Sequence, residues 1–299
     1  MSRGILMFGL NNETIDYLKM CVTNAALIKK NMGDIPVSVV TSEFALSWDW
    51  ATANRELIDS LVDLIILPGM GGLEVPELHA NKRIFRNTQY FNKTDVFLNQ
   101  NRSSAYDLSP YDETLLIDCD YLVLSDSLNA VWGGVEDFLI SKDAVHLNHG
   151  RLNATEWRLS PYGIRMYWAT IVYFKKSCRA KMVFDLVTHI KNNWRFYSIS
   201  YDFPSGLYRN DFAFSIAIHM LSGFQENVDF KTIPDTPILT SLDKDQLHAV
   251  KSATKLIFLV KSLDDEWKFS LQKVSGVNVH VMNKLALLEL SDQIIEVAK

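Results

Sequence analysis

Cysteine is scarce in this chain: Cys21, Cys119 and Cys178 are spread over 299 residues. That spacing supplies neither a disulfide framework nor paired zinc ligands. Each thiol sits among apolar residues, as reduced core cysteines of a cytoplasmic protein do. Long apolar runs are missing as well. No stretch approaches the roughly 18 residues of a membrane span. Residues 1–10, with one arginine, a short apolar run and no small-residue cleavage site, read as a first strand and not as a signal peptide. Positive charge is in deficit: 30 Lys and Arg against 35 Asp and Glu give a net charge of -5 and a pI near 5.8. Such a chain has no general attraction for nucleic acid or an anionic membrane, although a local basic groove remains open to it. Glycine supplies no phosphate loop. No Gly-Lys-Ser/Thr loop occurs, no spaced triplet follows the first strand, and the cluster at Pro68–Gly72 reads as a surface turn. A diphosphate bound here would need a metal and basic side chains to neutralise it. There is no internal repeat and no low-complexity tract.

What is present fits one large core, or one core plus a small appendage: 48% of residues are hydrophobic and 11% aromatic. Arg3–Leu10 reads as a strand stopped by Asn11-Asn12. Apolar residues at helical spacing from Thr14 to Met32, with Gly33 after them, predict a helix, and Ile35–Thr41 a second strand. One β-α-β unit implies parallel strands whose ligands bind beyond the carboxyl ends. Leu61–Leu67 reads as a third strand. Asn81–Asn101, with Lys82, Arg83, Arg86 and Lys93 among Phe85, Tyr90, Phe91 and Phe97, predicts a basic amphipathic helix. Further on, Gly163–Phe174 is strand-like and Ala180–Tyr197 helical. A loop from Tyr201 to Asp211 precedes a helix over Phe212–Leu221 that Asn210 or Asp211 would cap. Ile257–Val260 and Val277–Val281 predict short strands, and Asn283–Lys299 a final helix. The fold class expected is α/β, a mostly parallel central sheet flanked by helices. Residues 1–240 form the main domain and 241–299 a C-terminal extension packing on it.

The chain is organised around Tyr111–Leu128. Leu115, Leu116 and Ile117 are the apolar run of a strand buried on both faces, and Asp118-Cys119-Asp120 follows at its end. Alternation would point Asp118 and Asp120 the same way and Cys119 into the core. Two adjacent carboxylates repel unless a positive group lies between them, and a divalent cation is the usual answer. Asp243-Lys244-Asp245 has the same spacing but lies in a polar segment, so context separates the two pairs.

The order of these elements resembles the metal-dependent GT-A glycosyltransferases, the glycogenin and galactosyltransferase-like group with nucleotide-sugar donors. The resemblance covers roughly residues 3 to 225 and is most specific over Ser109–Leu124. It implies that Asp118 and Asp120 hold Mn2+ or Mg2+ bridging the donor diphosphate. It gives His280 as a third ligand and Lys284 as a diphosphate contact, although the glycine and Lys-Pro-Trp run usual around that histidine are absent. By the same resemblance Gly9, Leu10, Asn11, Asn12, Thr41, Ser42 and Cys119 line the nucleotide site. Asn210 and Asp211 face the acceptor, with Asp211 the nominee for a base should the reaction invert. Lys82 and Arg86 would form a basic arm over the phosphates.

Other readings stay open. A haloacid-dehalogenase-type phosphohydrolase would use Asp118 as nucleophile, with Asp264-Asp265 as its distal acidic pair. Against it, Leu122 stands where Thr or Val is usual and a complete β-α-β unit precedes the motif. A nucleotidyltransferase would carry a glycine-rich loop after the first strand, and a non-catalytic relative would bind only sugar or protein. The acceptor is a glycan, a small molecule, or a hydroxymethylated base in viral DNA, which would place the enzyme in a host cytoplasm. For a base, Trp157, Tyr162, Tyr167, Trp168, Trp194, Tyr197 and Tyr208 with Lys175, Lys176, Arg179 and Lys181 would offer stacking and charge. A lipid-linked acceptor would call on the basic helix at 81–101.

Overall fold

The computed structural model describes residues 1–67, 82–88, 91–96, 101–148, 164–202, 208–225, 230–234, 237–262 and 268–299, the two segments within 82–96 by their backbone alone. Strand β1 (Arg3–Phe8) leads through helix α1 (Tyr17–Met32) to β2 (Val37–Ser42). Short helices α2 (Glu43–Leu46), α3 (Asp49–Ala53) and α4 (Arg55–Leu61) then lead to β3 (Asp63–Leu67). Every residue of β2 is buried, and of β1 all but Arg3, as both-face burial in a parallel sheet requires.

The expected helix at 81–101 is not formed. The backbone runs instead as β4 (Lys82–Thr88) and β5 (Phe91–Val96), paired antiparallel. β-branched Ile84, Thr88, Thr94 and Val96 favour strands, and only two residues separate the pair, a hairpin spacing. The helical spacing of the aromatics was overridden.

A 3-10 turn at Asn101–Ser104 and helix α5 (Ala105–Leu108) precede the central strand β6 (Glu113–Ile117) and the two-residue β7 (Tyr121–Leu122). Then come β8 (Phe138–Ser141), β9 (Ala144–His146), β10 (Trp168–Lys175), α6 (Cys178–Asn192), α7 (Trp194–Ser200), α8 (Asn210–Leu221), β11 (Lys231–Thr232) and β12 (Ile238–Thr240). The predicted helix 180–197 is broken in two at Asn193, and Cys178, expected in the core, is exposed on the first turn of α6. Last are β13 (Gln246–Ser252), β14 (Lys255–Lys261), β15 (Phe269–Ser275), β16 (Val279–His280) and α9 (Lys284–Ala298).

The main sheet has the order β11-β8-β10-β6-β1-β2-β3. All its pairings are parallel except those of β10, which runs antiparallel to both β6 and β8. Alternate residues feed two cores. Ile5, Met7, Leu115 and Ile117 pack towards α1 and α9, while Leu6, Phe8, Leu116 and Val172 pack towards α6 and α8. Both faces are therefore covered, which leaves the strand ends as the open rim. On β1, a methyl group at Gly4 would sit 2.3 Å from the Tyr111 ring, so that close approach requires glycine.

The second sheet, β7-β16-β12-β9, ties the C-terminal region to the motif strand. Residues 241–299 also meet α1 through Lys19 and Asp292 at 2.8 Å, and Asn31 donates to the Ala253 carbonyl. Asp245 is fully buried. It accepts from the Leu242 and Lys261 amides and lies 2.7 Å from His146 Nε2. We expect Asp245→Asn to cost about 2 kcal/mol in urea unfolding, because a buried donor loses its charged acceptor.

Candidate active site

Strand β6 stops at Ile117, and the two aspartates do not continue it. The Asp118 amide donates to the Thr170 carbonyl of β10 at 2.9 Å, and the Tyr121 amide donates back to the Asp118 carbonyl at 3.0 Å. The segment is therefore a tight turn, where strand alternation was expected. The turn still aims Asp118 and Asp120 into one cleft, and Cys119 joins them in its lining. Next, β7 pairs antiparallel with β16, so Tyr121 faces His280, and the Val281 amide donates to the Asp120 carbonyl at 2.8 Å. Two buried asparagines hold this region. Asn24 donates to the Tyr121 carbonyl and accepts from the Val123 amide, and Asn278 accepts from the Leu124 and Ser125 amides. Asn283 caps α9 by accepting from the Ala286 amide, which places Lys284 on its first turn.

Asp118, Asp120 and His280 bring one ligand atom each to within 4.8 Å of one another. Around them the charges are matched. Lys284 Nζ lies 2.6 Å from Asp120 Oδ2, and His280 Nε2 lies 3.3 Å from Asp120 Oδ1. Arg102, from the 3-10 turn, pairs with Asp118 and donates to the Ala169 carbonyl. Burial opposes the charge on Asp120, but Lys284 and His280 outweigh it and hold the carboxyl well below the usual carboxylate range. Asp118 differs in exposure: its side chain is 26% accessible against 5% for Asp120, so it is the more open of the two to the cleft. A hydrogen bond with Cys21 and burial push the Cys119 thiol up, so it stays protonated.

The cleft includes Phe8, Tyr17, Trp168, Thr170, Arg209, Asn210, Asp211 and Met282 in its walls. Asn210 and Asp211 thus share it with the aspartate pair. Neither caps α8: Arg209 is the N-cap residue and makes no side-chain cap bond. Asp211 is occupied instead, its Oδ1 accepting from the Ala169 amide at 2.8 Å and its Oδ2 pairing with Arg209 at 2.8 Å. Burial opposes its charge too, yet Arg209, the Ala169 amide and Arg102 keep its carboxyl low.

Of the residues expected to line the nucleotide site, Cys119 is in this cleft, whereas Gly9, Leu10, Asn11, Asn12, Thr41 and Ser42 lie at the ends of β1 and β2 and are not among those lining it. Asn11 accepts from the Leu18 amide and donates to Asp16, while Asn12 accepts from the Thr14 and Ile15 amides. Thr41 donates to the Gly9 carbonyl, and Ser42 caps α2 by accepting from the Ala45 amide. All four side chains, and Leu10, are buried. Gly9 is there for space, since a methyl group would meet Leu18 Cα and Cys21 Sγ at 3.1 Å. Lys82 and Arg86 fall on β4, with side chains outside the described residues, as are Trp157, Tyr162 and Asp264-Asp265. Of the aromatics, Trp168 reaches the cleft, while Tyr167, Trp194, Tyr197 and Tyr208 are core. The sequence reading missed Arg102 and Arg209. The one signal for Arg102 was a charged residue beside Ser103-Ser104 shortly before the central strand.

No known family description and no curated protein matches this sequence. Solved structures are similar at low identity. The glycosyltransferase GlyE of Streptococcus pneumoniae TIGR4 is 10% identical over 79% of this chain, with a TM-score of 0.42, and the chain spans only 46% of that protein. The galactosyltransferase LgtC, in complex with donor and acceptor sugar analogs, is 15% identical over 72% of this chain and 70% of its own, with a TM-score of 0.43. Mouse xyloside xylosyltransferase 1 is 10% identical over 75% and 83%, with a TM-score of 0.40.

Proposed function

We infer that this chain is a glycosyltransferase that moves a sugar from a nucleoside-diphosphate-sugar to an acceptor hydroxyl. One observation carries the reading: two carboxylates, an imidazole and two buried cations converge in one cleft at the carboxyl rim of a mostly parallel sheet. The donor set suits a divalent metal. Carboxylates prefer hard cations such as magnesium and manganese, an imidazole adds a further ligand, and the buried His280 Nδ1 has no hydrogen-bond partner among the described residues. Asp118, Asp120 and His280 would hold Mn2+ or Mg2+. When bound, the ion neutralises charge developing on the leaving diphosphate.

The chain's own residues supply the rest. Lys284 and Arg102 are donors already oriented by the carboxylates they pair with, so they need little reorganisation to meet diphosphate oxygens. Phe8, Tyr17, Trp168 and Met282 contribute apolar surface to the walls. Asp211 positions Arg209 and the β10 backbone. With both its oxygens engaged it is a poor base, and the described cleft offers no other carboxylate beyond the motif pair, which favours retention of the anomeric configuration. Proton NMR of the product anomer tests this; inversion would contradict it. The acceptor is a glycan, a small molecule or a hydroxymethylated base, and a cytoplasmic setting fits the reading. A phosphohydrolase acting through Asp118 gains no observation of its own.

Asp211 also carries a pH prediction. Its carboxyl is held below the unfolded value of about 3.9. The stability it contributes is therefore full above that value and lost as pH falls through the folded one. Asp211→Asn should flatten the acid limb of a melting-temperature profile below about pH 4, where the wild-type chain loses stability. To test the function, thermal shifts are read with nucleotide-sugars and nucleoside diphosphates, each with Mn2+ or chelator. A metal-dependent rise with one nucleotide supports the reading and names the donor; no rise with any of them would sink it.

A further inference from the structure

The three-stranded sheet β13-β14-β15 covers a core on one face only. On β14, Leu256, Phe258 and Val260 are buried, so Lys255, Ile257, Leu259 and Lys261 point outwards. Register puts Ser275, Lys273, Leu271 and Phe269 of β15 directly beside those four outward residues. The outer face is thus an apolar centre of Ile257, Leu259, Leu271 and Phe269, flanked by Lys255, Lys261 and Lys273. Phe269 is 45% and Leu271 63% exposed, and Val277 just beyond is 47% exposed. Lys251 on β13 is exposed as well. None of the three strands contains an acidic residue, in a chain whose net charge is -5.

We propose that this face docks the protein on an anionic lipid bilayer, with Phe269 and Leu271 entering the headgroup layer and the lysines meeting lipid phosphates. The charge segregation selects that occupant. Lysine stems lie along apolar surface while their ammonium groups reach outwards, and each adds attraction to an anionic leaflet. Lysines often guard an exposed sheet edge against pairing, but Lys255 and Lys261 lie on the central strand, where there is no edge to guard. A second copy paired along β15 would bring like charges together. Nucleic acid favours aromatic platforms and arginine, and this face holds one phenylalanine, aliphatic residues and no arginine. Asp245, next to β13, is buried with His146; Asp243 before it is exposed, and Asp264-Asp265-Glu266 belong to the β14–β15 connection, outside the described residues. The inference is independent of the transfer chemistry. It also leads back to the cleft, because the chain passes from Ser275 through 276–278 into His280.

The test is co-sedimentation of the full chain with vesicles of phosphatidylcholine alone and with about one third phosphatidylglycerol, at low and high salt. Binding to the anionic vesicles that weakens with salt is expected. Phe269→Glu/Leu271→Glu should lower partition at least about ten-fold, and each of Lys255→Gln, Lys261→Gln and Lys273→Gln about five-fold, with melting temperature retained. Lys30→Glu/Lys181→Glu, elsewhere on the surface, should leave it unchanged. Absence of binding to anionic vesicles, equal binding by the face variants, or equal loss in the Lys30/Lys181 variant would overturn the proposal. So would retention of duplex or single-stranded DNA, or a dimer by light scattering, that only the face variants abolish in place of vesicle binding.

Discussion

Asp120→Ala should lower metal-dependent turnover by about 10³-fold or more, the scale of removing a preorganised charge at the reacting centre. The same change should destabilise the fold. Lys284 is only 9% accessible and has Asp120 as its partner at 2.6 Å, with His280 on the other oxygen. Removing Asp120 takes its carboxylate from a buried ammonium, and breaking a buried pair costs on the scale of about 3–5 kcal/mol. Asp120→Asn separates the two effects, since the amide keeps the volume and a hydrogen-bonding oxygen. Its turnover should fall almost as far while its urea midpoint falls less. Equal turnover in Asp120→Asn and the wild type would remove Asp120 from the chemistry.

Lys284→Met should tighten Mn2+ binding to the nucleotide-free protein and weaken binding of the nucleoside diphosphate. In the metal-free state Lys284 lies where a cation shared by Asp118 and Asp120 would compete with it, so its removal frees an oxygen of Asp120. The Mn2+-induced rise in melting temperature should therefore be larger in Lys284→Met than in the wild type. Diphosphate affinity should fall by about 10-fold or more, as loss of a charge-assisted hydrogen bond implies. A smaller Mn2+ shift with unchanged diphosphate affinity would mean that Lys284 serves the fold alone.

The central sheet was legible because its strands are continuous apolar runs. Ile35–Thr41 and Leu115–Ile117 have the signature of strands covered on both faces, and α1 has clear helical spacing. The aspartate pair was legible because it ends such a run. Segment 82–96 misled because its basic and aromatic residues fit a helical period as well as a strand, and pairing along the chain decided for a hairpin. Arg102 and Arg209 were missed for another reason. Their roles come from contacts with Asp118 and Asp211 that no spacing encodes. Asn11, Asn12, Thr41 and Ser42 were read as ligand-facing because they sit at strand ends. Strand ends are also where helices begin, and their side chains satisfy the backbone there. Asp245 was set aside for its polar setting in sequence, yet it folds into a buried site with His146.

The central claim is that Asp118, Asp120 and His280 hold a metal that receives a nucleoside diphosphate. The most direct measurement is an electron paramagnetic resonance titration of Mn2+ against the wild type, Asp118→Asn and Asp120→Asn, with uridine and guanosine diphosphates. The account predicts one bound Mn2+ per wild-type chain, tightened by one of the nucleotides, and at least about 100-fold weaker binding in either variant. Mn2+ bound equally by all three chains, or by none of them, would contradict it.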